Sequence, residues 1–437
     1  MSRRVVITGY DCITPLGNCV SKSWANLLAS KQCLAAVEDL PDYSTKYQPY
    51  TKHLPPVLKV GKCPEPLEVN GLFSAQDKRR MSPMMMNTIA TTYQALKHAD
   101  LVSGTPESLE LSGVVPERVA TSIGTGLPAI NDIFDASVNM AVDNKRSSPM
   151  LIPKILTNMV AGAVSIKFNA RGPSQTTSTA CATGNNAIIE GFNCIKNGMS
   201  DVAIVGATEE SLHPLTIAGF HRLKSLSNDS KSRPFDKGRN GFVISEGTGV
   251  MILEDLEHAK QRIRTSGGRA SILGELVGIG MSSDAYHITS PMENGDGAKR
   301  SMEMALSTAG VSADQIGYVN AHATSTPIGD MAELTGIANI FSGKRDSPLY
   351  VSSNKGAMGH LLGASGLVES IFTLLGLKEG IIPHTLNLCD DISTQPLSQI
   401  QLVKNEPVNT PTLNYALTNS FGFGGVNTSL LFKKWDE

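Results

Sequence analysis

The sequence has no surplus of charge of either sign. Its 38 Lys plus Arg stand against 40 Asp plus Glu, a formal net charge of −2 at pH 7. That balance excludes a generally basic nucleic-acid-binding protein and leaves room only for local basic patches. Cysteine is sparse and unpatterned: Cys12, Cys19, Cys33, Cys63, Cys181, Cys194 and Cys389, with irregular spacing and no CxxC. An odd, irregular set is neither a disulfide framework nor a zinc-finger ligand set, and it fits a reducing compartment. No stretch is long and apolar enough to span a bilayer. The opening Met1-Ser2-Arg3-Arg4 runs straight into the strand-like Val5-Val6-Ile7-Thr8-Gly9, so neither a signal peptide nor an Arg/Ser-rich transit segment is read there.

What is present describes a compact globular chain. Its 437 residues are 41% hydrophobic and 18% charged, enough for two or three ordinary domains or one large layered unit. Forty glycines point to many tight turns. Buried strands are predicted at Val5–Gly9, Arg118–Gly124, Asp201–Ala207, Gly241–Leu253, Ile316–Ala321, Leu349–Ser353, Tyr415–Ser420 and Val426–Phe432. Helices are predicted at Lys22–Ser30, Met84–Ala99, Ile155–Phe168, Gly297–Ala309 and Gly363–Lys378, and surface loops over Lys31–Glu68. Two stretches echo each other, because Ser178–Gly184 and Ser352–His360 each precede a buried helix, and Val119–Gly126 echoes Val319–Thr324. The pattern predicts an α/β chain built of duplicated βαβ halves, residues 1–255 and 256–437, joined in one compact unit.

The chemistry centres on Ser178-Thr179-Ala180-Cys181-Ala182-Thr183-Gly184. Small residues let a ligand or another backbone approach the cysteine, and the apolar run after it predicts a buried helix. Cys181 then sits at a helix N-terminus, where orphan N–H groups and the helix dipole favour the nucleophilic thiolate. A lone cysteine is more often a small core residue. Two histidine segments reverse that preference: Asn320-Ala321-His322-Ala323-Thr324-Ser325-Thr326, and Asn354-Lys355-Gly356-Ala357-Met358-Gly359-His360. Each follows a predicted strand end, where α/β architectures place their sites. A zinc site made from Cys181, His322 and His360 is conceivable by residue type, but helix-terminal thiol chemistry accounts better for the surroundings. The other histidines, His213 and His384 among them, read as structural or exposed, with His287 undecided.

Over nearly its whole length the sequence resembles the β-ketoacyl-acyl-carrier-protein synthases, condensing enzymes of type II fatty acid synthesis. The resemblance rests on Val6-Ile7-Thr8-Gly9, Thr179-Ala180-Cys181, Arg233-Pro234-Phe235-Asp236, His322-Ala323-Thr324-Ser325-Thr326, Lys355–His360 and Asn419-Ser420-Phe421-Gly422-Phe423-Gly424-Gly425. Pro153–Met159 and the ending Ser429–Trp435 resemble the mitochondrial branch, especially its fungal members. The resemblance implies a thiolase-like fold with layers α-β-α-β-α, a mitochondrial location and a homodimer.

It also implies roles. Cys181 carries the acyl group, and the N–H groups of Cys181 and Phe423 form the oxyanion hole. His322 and His360 stabilise the enolate left by decarboxylation of malonyl-carrier, and Lys355 holds the local charge balance. Thr324 and Thr326 bind the pantetheine arm. Phe423 is a gate, and with Gly126 and Leu127 it lines the acyl pocket, for which medium to long chains are expected. Asn320, Glu369 and Asn419 match a structural polar or monovalent-cation site. Lys78, Arg79, Arg80, Lys145, Arg146 and Lys224 are candidates for steering an acidic acyl carrier protein. No cofactor is expected beyond the phosphopantetheine of that carrier. Asn240 stands where relatives usually carry Asp, and Ser245 where they often carry Gly. Thiolases need a second cysteine in the glycine turn that Gly422–Gly425 occupies here, and initiating synthases pair one histidine with asparagine. The non-enzyme alternative is an inactive partner like a chain-length factor, and retention of Cys181, His322, Lys355 and His360 weighs against it.

Overall fold

A computed structural model describes residues 3–436 apart from 41–42, 44–45, 55–57, 67, 268, 344 and 394–398. Its frame is an 11-stranded sheet. The sheet strands are β1 Val5–Ile13, β2 Val119–Gly124, β3 Ser174–Gln175, β4 Val202–Glu209, β5 Gly247–Asp255, β6 Gly274–Ser283, β7 Tyr318–Asn320, β8 Leu349–Ser352, β9 Ile400–Leu402, β10 Tyr415–Gly422 and β11 Val426–Lys433. Their spatial order is β9-β8-β7-β10-β11-β6-β1-β5-β4-β2-β3.

This order contains the same arrangement twice. Outward from a short antiparallel seam (Val5↔Leu276 to Ile7↔Gly274), the first half runs β1-β5-β4-β2-β3 and the second β6-β11-β10-β7-β8. In both, the first two pairings are antiparallel and the next two parallel. The second half adds β9 as a parallel edge.

Six main helices complete the layers: α1 Pro83–His98, α2 Met159–Phe168, α3 Thr183–Lys196, α4 Asp296–Ala309, α5 Pro327–Phe341 and α6 Ser365–Glu379. Successive strand side chains face opposite sides, and the core clusters follow that alternation. Val202 and Ile204 pack outward with α1 and α2, whereas Ala203 and Val205 pack inward. In the second half Val319, Leu417 and Leu431 pack with α4 and α5, whereas Tyr318, Ala416 and Leu430 face the inner cluster. Between the two half-sheets lie α3 and α6. Every residue of α6 from Ser365 to Leu377 is buried, as a helix packed on all sides must be. The result is the α-β-α-β-α layering.

Three expectations need correction. The stretch Lys31–Glu68, expected as surface loops, puts Val37, Leu40, Tyr47, Leu58 and Val60 into a buried apolar cluster. The helix expected over Ile155–Phe168 is two helices, Leu151–Ile155 and α2, because the backbone turns extended at Leu156. The echo of the cysteine turn is also shifted. Cys181 lies in the 3₁₀ turn Ala180–Ala182 before α3, and its counterpart is the 3₁₀ turn Leu362–Ala364 before α6. Both turns begin with a left-handed non-glycine residue, Ala180 at φ 50° and Leu362 at φ 47°. The position matching Cys181 is therefore Gly363, and the stretch ending at His360 precedes that turn.

Candidate active site

The nucleophile turn is held from several sides. Thr183 Oγ1 accepts from the Thr179 N–H and donates to the Ala180 carbonyl, and Ser420 Oγ donates to the Cys181 carbonyl. Strand β10 reaches the turn because residue 422 is glycine: a Cβ there would lie 2.4 Å from the Thr179 carbonyl oxygen. Cys181 is half-buried, and its own N–H faces its sulfur. Burial pushes the thiol up to about 12, against the opposing pull of the Lys355 ammonium. The resting sulfur is therefore a thiol, not the thiolate that the helix terminus alone would favour.

His360 lies against that sulfur, with Nε2 3.0 Å from Sγ and Nδ1 2.9 Å from Ser365 Oγ. Its backbone is clamped in a bridge to the first half: the His360 N–H donates to Val243, and the Ser245 N–H donates to the His360 carbonyl. Ser245 fits its place because Gly61 and Gly359 leave room for it, and its hydroxyl donates to the Met358 carbonyl. Asn240 keeps its surroundings through the Ser227 hydroxyl, which donates to Asn240 Oδ1 at 2.9 Å.

The His322 ring stands 5.5 Å from that of His360, centroid to centroid, at 81°. Burial first, and then the Lys355 charge, hold both imidazoles well below the usual histidine range, so both are neutral. Lys355 is fully buried, with Nζ 2.5 Å from Glu369 Oε1. Neither side chain of this pair reaches solvent.

A cavity of about 330 Å³ opens over these groups, lined by Cys181, His322, His360, Thr324, Thr326 and Phe423 among others. Thr324 and Thr326 face each other, Oγ1 to Oγ1 at 3.2 Å. Thr326 is the N-cap of α5, yet its hydroxyl makes no capping bond and is turned toward Thr324 at the cavity wall. The Phe423 ring meets Phe220 at 6.4 Å, and Gly424 and Gly425 after it take left-handed φ values of 88° and 76°.

The remaining predicted residues divide. Leu127, like Cys181, Phe220 and Phe134, packs against an apolar cluster that includes Ile217 and Phe242. Gly126 lies beside it, where its N–H and that of Leu127 donate to Glu209. Asn320, Glu369 and Asn419 are all fully buried and hydrogen-bonded. Asn320 pairs with Thr418 and Asn354, Glu369 with Lys355, and Asn419 with Glu333 and Ser429. Among the described residues no group of three or more His, Cys, Asp or Glu side chains could hold a metal ion. All six steering candidates are exposed, but only Lys224 lines the cavity. Arg80 borders a separate groove with Lys167, and Lys145 pairs with Asp143.

Sequence reasoning missed two carboxylates that organise the site. Glu209, buried at the end of β4, also accepts from the Gly363 N–H, so one side chain ties the Gly126–Leu127 loop to the turn before α6. Glu333 on α5 accepts from the N–H groups of His322 and Ala323 and fixes the histidine segment. Burial pushes Glu209 up to about 8 and Glu333 up to about 7. Neither carries a distinguishing signal in the sequence, since Glu209 is followed by Glu210 and Glu333 stands three residues after Asp330.

The family described as Beta-ketoacyl synthase, N-terminal domain matches residues 2–259, and Beta-ketoacyl synthase, C-terminal domain matches residues 273–389. The chain is 50% identical to a 3-oxoacyl-[acyl-carrier-protein] synthase homolog of Saccharomyces cerevisiae, covering 100% of both. It is 40% identical to a mitochondrial 3-oxoacyl-[acyl-carrier-protein] synthase of Arabidopsis thaliana, over 98% of this chain and 93% of the relative. Among solved structures, a Beta-ketoacyl synthase from Burkholderia phymatum superposes with a TM-score of 0.84 at 28% identity, covering 99% of this chain and 100% of that one. By its match to both family domains and to these full-length relatives, this chain belongs to the beta-ketoacyl synthase family.

Proposed function

We propose that this chain is a 3-oxoacyl-[acyl-carrier-protein] synthase that lengthens a Cys181-bound acyl group by two carbons. The observation that carries this reading is the 3.0 Å contact of Cys181 Sγ with His360 Nε2, beside the neutral ring of His322. In the first half-reaction the Cys181 sulfur attacks the thioester of an acyl-carrier. A new C–S bond forms to Cys181 as the bond to the pantetheine sulfur breaks, and the thiol proton passes to the departing thiol with His360 Nε2 in reach of it. The N–H groups of Cys181 and Phe423 stabilise the oxyanion.

Malonyl-carrier then binds, with Thr324 and Thr326 on its pantetheine arm. Its terminal C–C bond breaks, CO₂ leaves, and the electron pair forms a thioester enolate. The enolate oxygen accepts from the N–H of each neutral imidazole, His322 and His360. Burial keeps both rings neutral, and an imidazolium would also carry its charge into a site that already holds the Lys355 ammonium. The enolate carbon attacks the acyl carbonyl, and the Cys181 sulfur leaves and takes up one proton.

The reacting groups arrive on the carrier's phosphopantetheine, so the reading includes no resident cofactor. Full-length likeness to named synthases favours it over an inactive partner subunit. The mitochondrial designation of the Arabidopsis relative supports the same compartment for this chain. A homodimer belongs to the reading too, supported by the exposed Met140, Val142, Ile152 and Leu156. Lys224 at the cavity mouth is the first carrier contact to test.

The test is intact-mass analysis of protein and carrier after mixing with acyl-carrier and then malonyl-carrier. An adduct on Cys181 followed by a 3-ketoacyl product longer by two carbons is expected. Absence of an adduct overturns the reading, and an adduct without extension points to a transferase.

A further inference from the structure

His360 has one proton for two ring nitrogens, because burial and then the Lys355 charge keep the imidazole neutral. Which nitrogen holds that proton decides what the ring can do. On Nε2 it is donated toward the Cys181 sulfur and the reacting atoms, whereas on Nδ1 it leaves a lone pair facing them. The ring itself is held in place by two neighbours at near-right angles, Phe242 at 5.1 Å and His322 at 5.5 Å between centroids.

Nδ1 faces the Ser365 hydroxyl at 2.9 Å, and that hydroxyl makes no other hydrogen bond among the described residues. Ser365 is fully buried and is the first residue of α6. In the duplicated fold it matches Thr183, the first residue of α3, whose hydroxyl is used within its own turn on the Thr179 N–H and the Ala180 carbonyl. The Ser365 hydroxyl reaches out of its turn to the histidine instead. A serine hydroxyl can donate or accept, and two features select donation here. The head of α6 presents its positive dipole end at this point, which favours a lone pair over an N–H on the ring nitrogen beside it. An enolate oxygen in the cavity also calls for a donor on the opposite nitrogen. His322 has no such support, since its Nδ1 is buried without a hydrogen-bond partner.

We infer that Ser365 is a positioning residue for the decarboxylation step: its hydroxyl donates to His360 Nδ1 and keeps the single ring proton on Nε2, facing the reacting atoms. This rests on the reading of His360 as a donor to the enolate oxygen. During acylation the same Nε2–H points at the Cys181 sulfur, 3.0 Å away. Ser365 touches neither substrate nor sulfur in this role and acts only through the ring.

The experiment reads the tautomer and the chemistry separately. In protein whose histidines carry an isotopic nitrogen label, the His360 resonances are assigned by their loss in His360→Ala. They are expected to show the proton on Nε2 in the wild-type protein and a mixture of tautomers in Ser365→Ala. CO₂ release from malonyl-carrier is expected to fall roughly 2- to 10-fold in Ser365→Ala, the worth of one hydrogen bond, with KM for malonyl-carrier unchanged. Ser365→Thr and Ser365→Val have nearly equal bulk and differ in the hydroxyl, so the threonine variant is expected to keep the wild-type tautomer and to outpace the valine variant by the same factor. The alanine variant adds no bulk to the buried position, so its comparison with wild type stands if the larger pair does not fold. A proton on Nδ1 in the wild-type ring overturns the inference alone, as does either readout left at its wild-type value in Ser365→Ala. Wild-type protein that forms no adduct on Cys181 and releases no CO₂ overturns the condensing-enzyme reading and this inference with it.

Discussion

A thiol at the head of a helix is pulled two ways. The helix terminus and the Lys355 ammonium favour the thiolate, whereas burial favours the thiol, and at Cys181 burial wins. The contact with His360 therefore matters to acylation as well as to decarboxylation. His322→Ala is expected to keep Cys181 acylation and lose decarboxylation, whereas His360→Ala slows the first and removes the second. Separate assays of adduct formation and CO₂ release check the division, and equal loss of both steps in a folded His322→Ala protein contradicts it. The Lys355 charge also sets the pH range. Burial first, and then this charge, hold both imidazoles below their usual range, so removing the charge raises their pKa and lets imidazolium form at higher pH. Lys355→Met alone leaves the Glu369 carboxylate buried without a partner, at a cost of about 3–5 kcal/mol. The double variant K355M/E369L avoids that loss. Its CO₂ release is expected to fail at higher pH on the acid side than in the wild-type protein, and an unmoved acid limb in the pH–rate profile counts against the charge-setting role.

Turns, rather than helices or strands, bring the reacting groups together, and turns were the hardest part of the sequence to place. The strand at Val119–Gly124 and its partner at Tyr318–Asn320 were legible from apolar runs, as was the helix after Cys181. The register of the echo was not, because it depends on left-handed Ala180 and Leu362, residue types that give no sign of a positive φ. The role of Glu209 was hidden for a related reason, since its partners are backbone N–H groups that any residue supplies. Gly422 shows how tight the assembly is. Its missing Cβ lets β10 pass the nucleophile turn, and the atom that an added Cβ would meet is a backbone oxygen that cannot swing aside. Gly422→Ala is expected to lower stability by about 1–3 kcal/mol, as overpacking does, and to slow Cys181 acylation. Denaturant unfolding and adduct kinetics measure the two effects, and wild-type values for both exclude a tight contact.

The duplication raises the question of whether the halves are separate folding units. Each half has the strand order and pairing of a complete layer, and the outer helices α1, α2, α4 and α5 belong to one half or the other. The inner layer does not divide in this way. Ile188 and Ile189 of α3 share one core cluster with Leu367, Val368 and Ile371 of α6, and that cluster also takes Val5 and Leu276 from the two sides of the seam. Separation would expose the inner face of each half-sheet together with a helix buried all round, the kind of apolar surface that drives aggregation. Chains 1–255 and 256–437 made alone are therefore expected to be insoluble, and co-expression is expected to give a soluble complex that acylates Cys181. The intact protein should unfold in a single calorimetric transition, with no step for one half ahead of the other. A soluble 1–255 chain with its own cooperative melt would show that the first half supplies its own core, and that the inner layer is an interface between two finished domains.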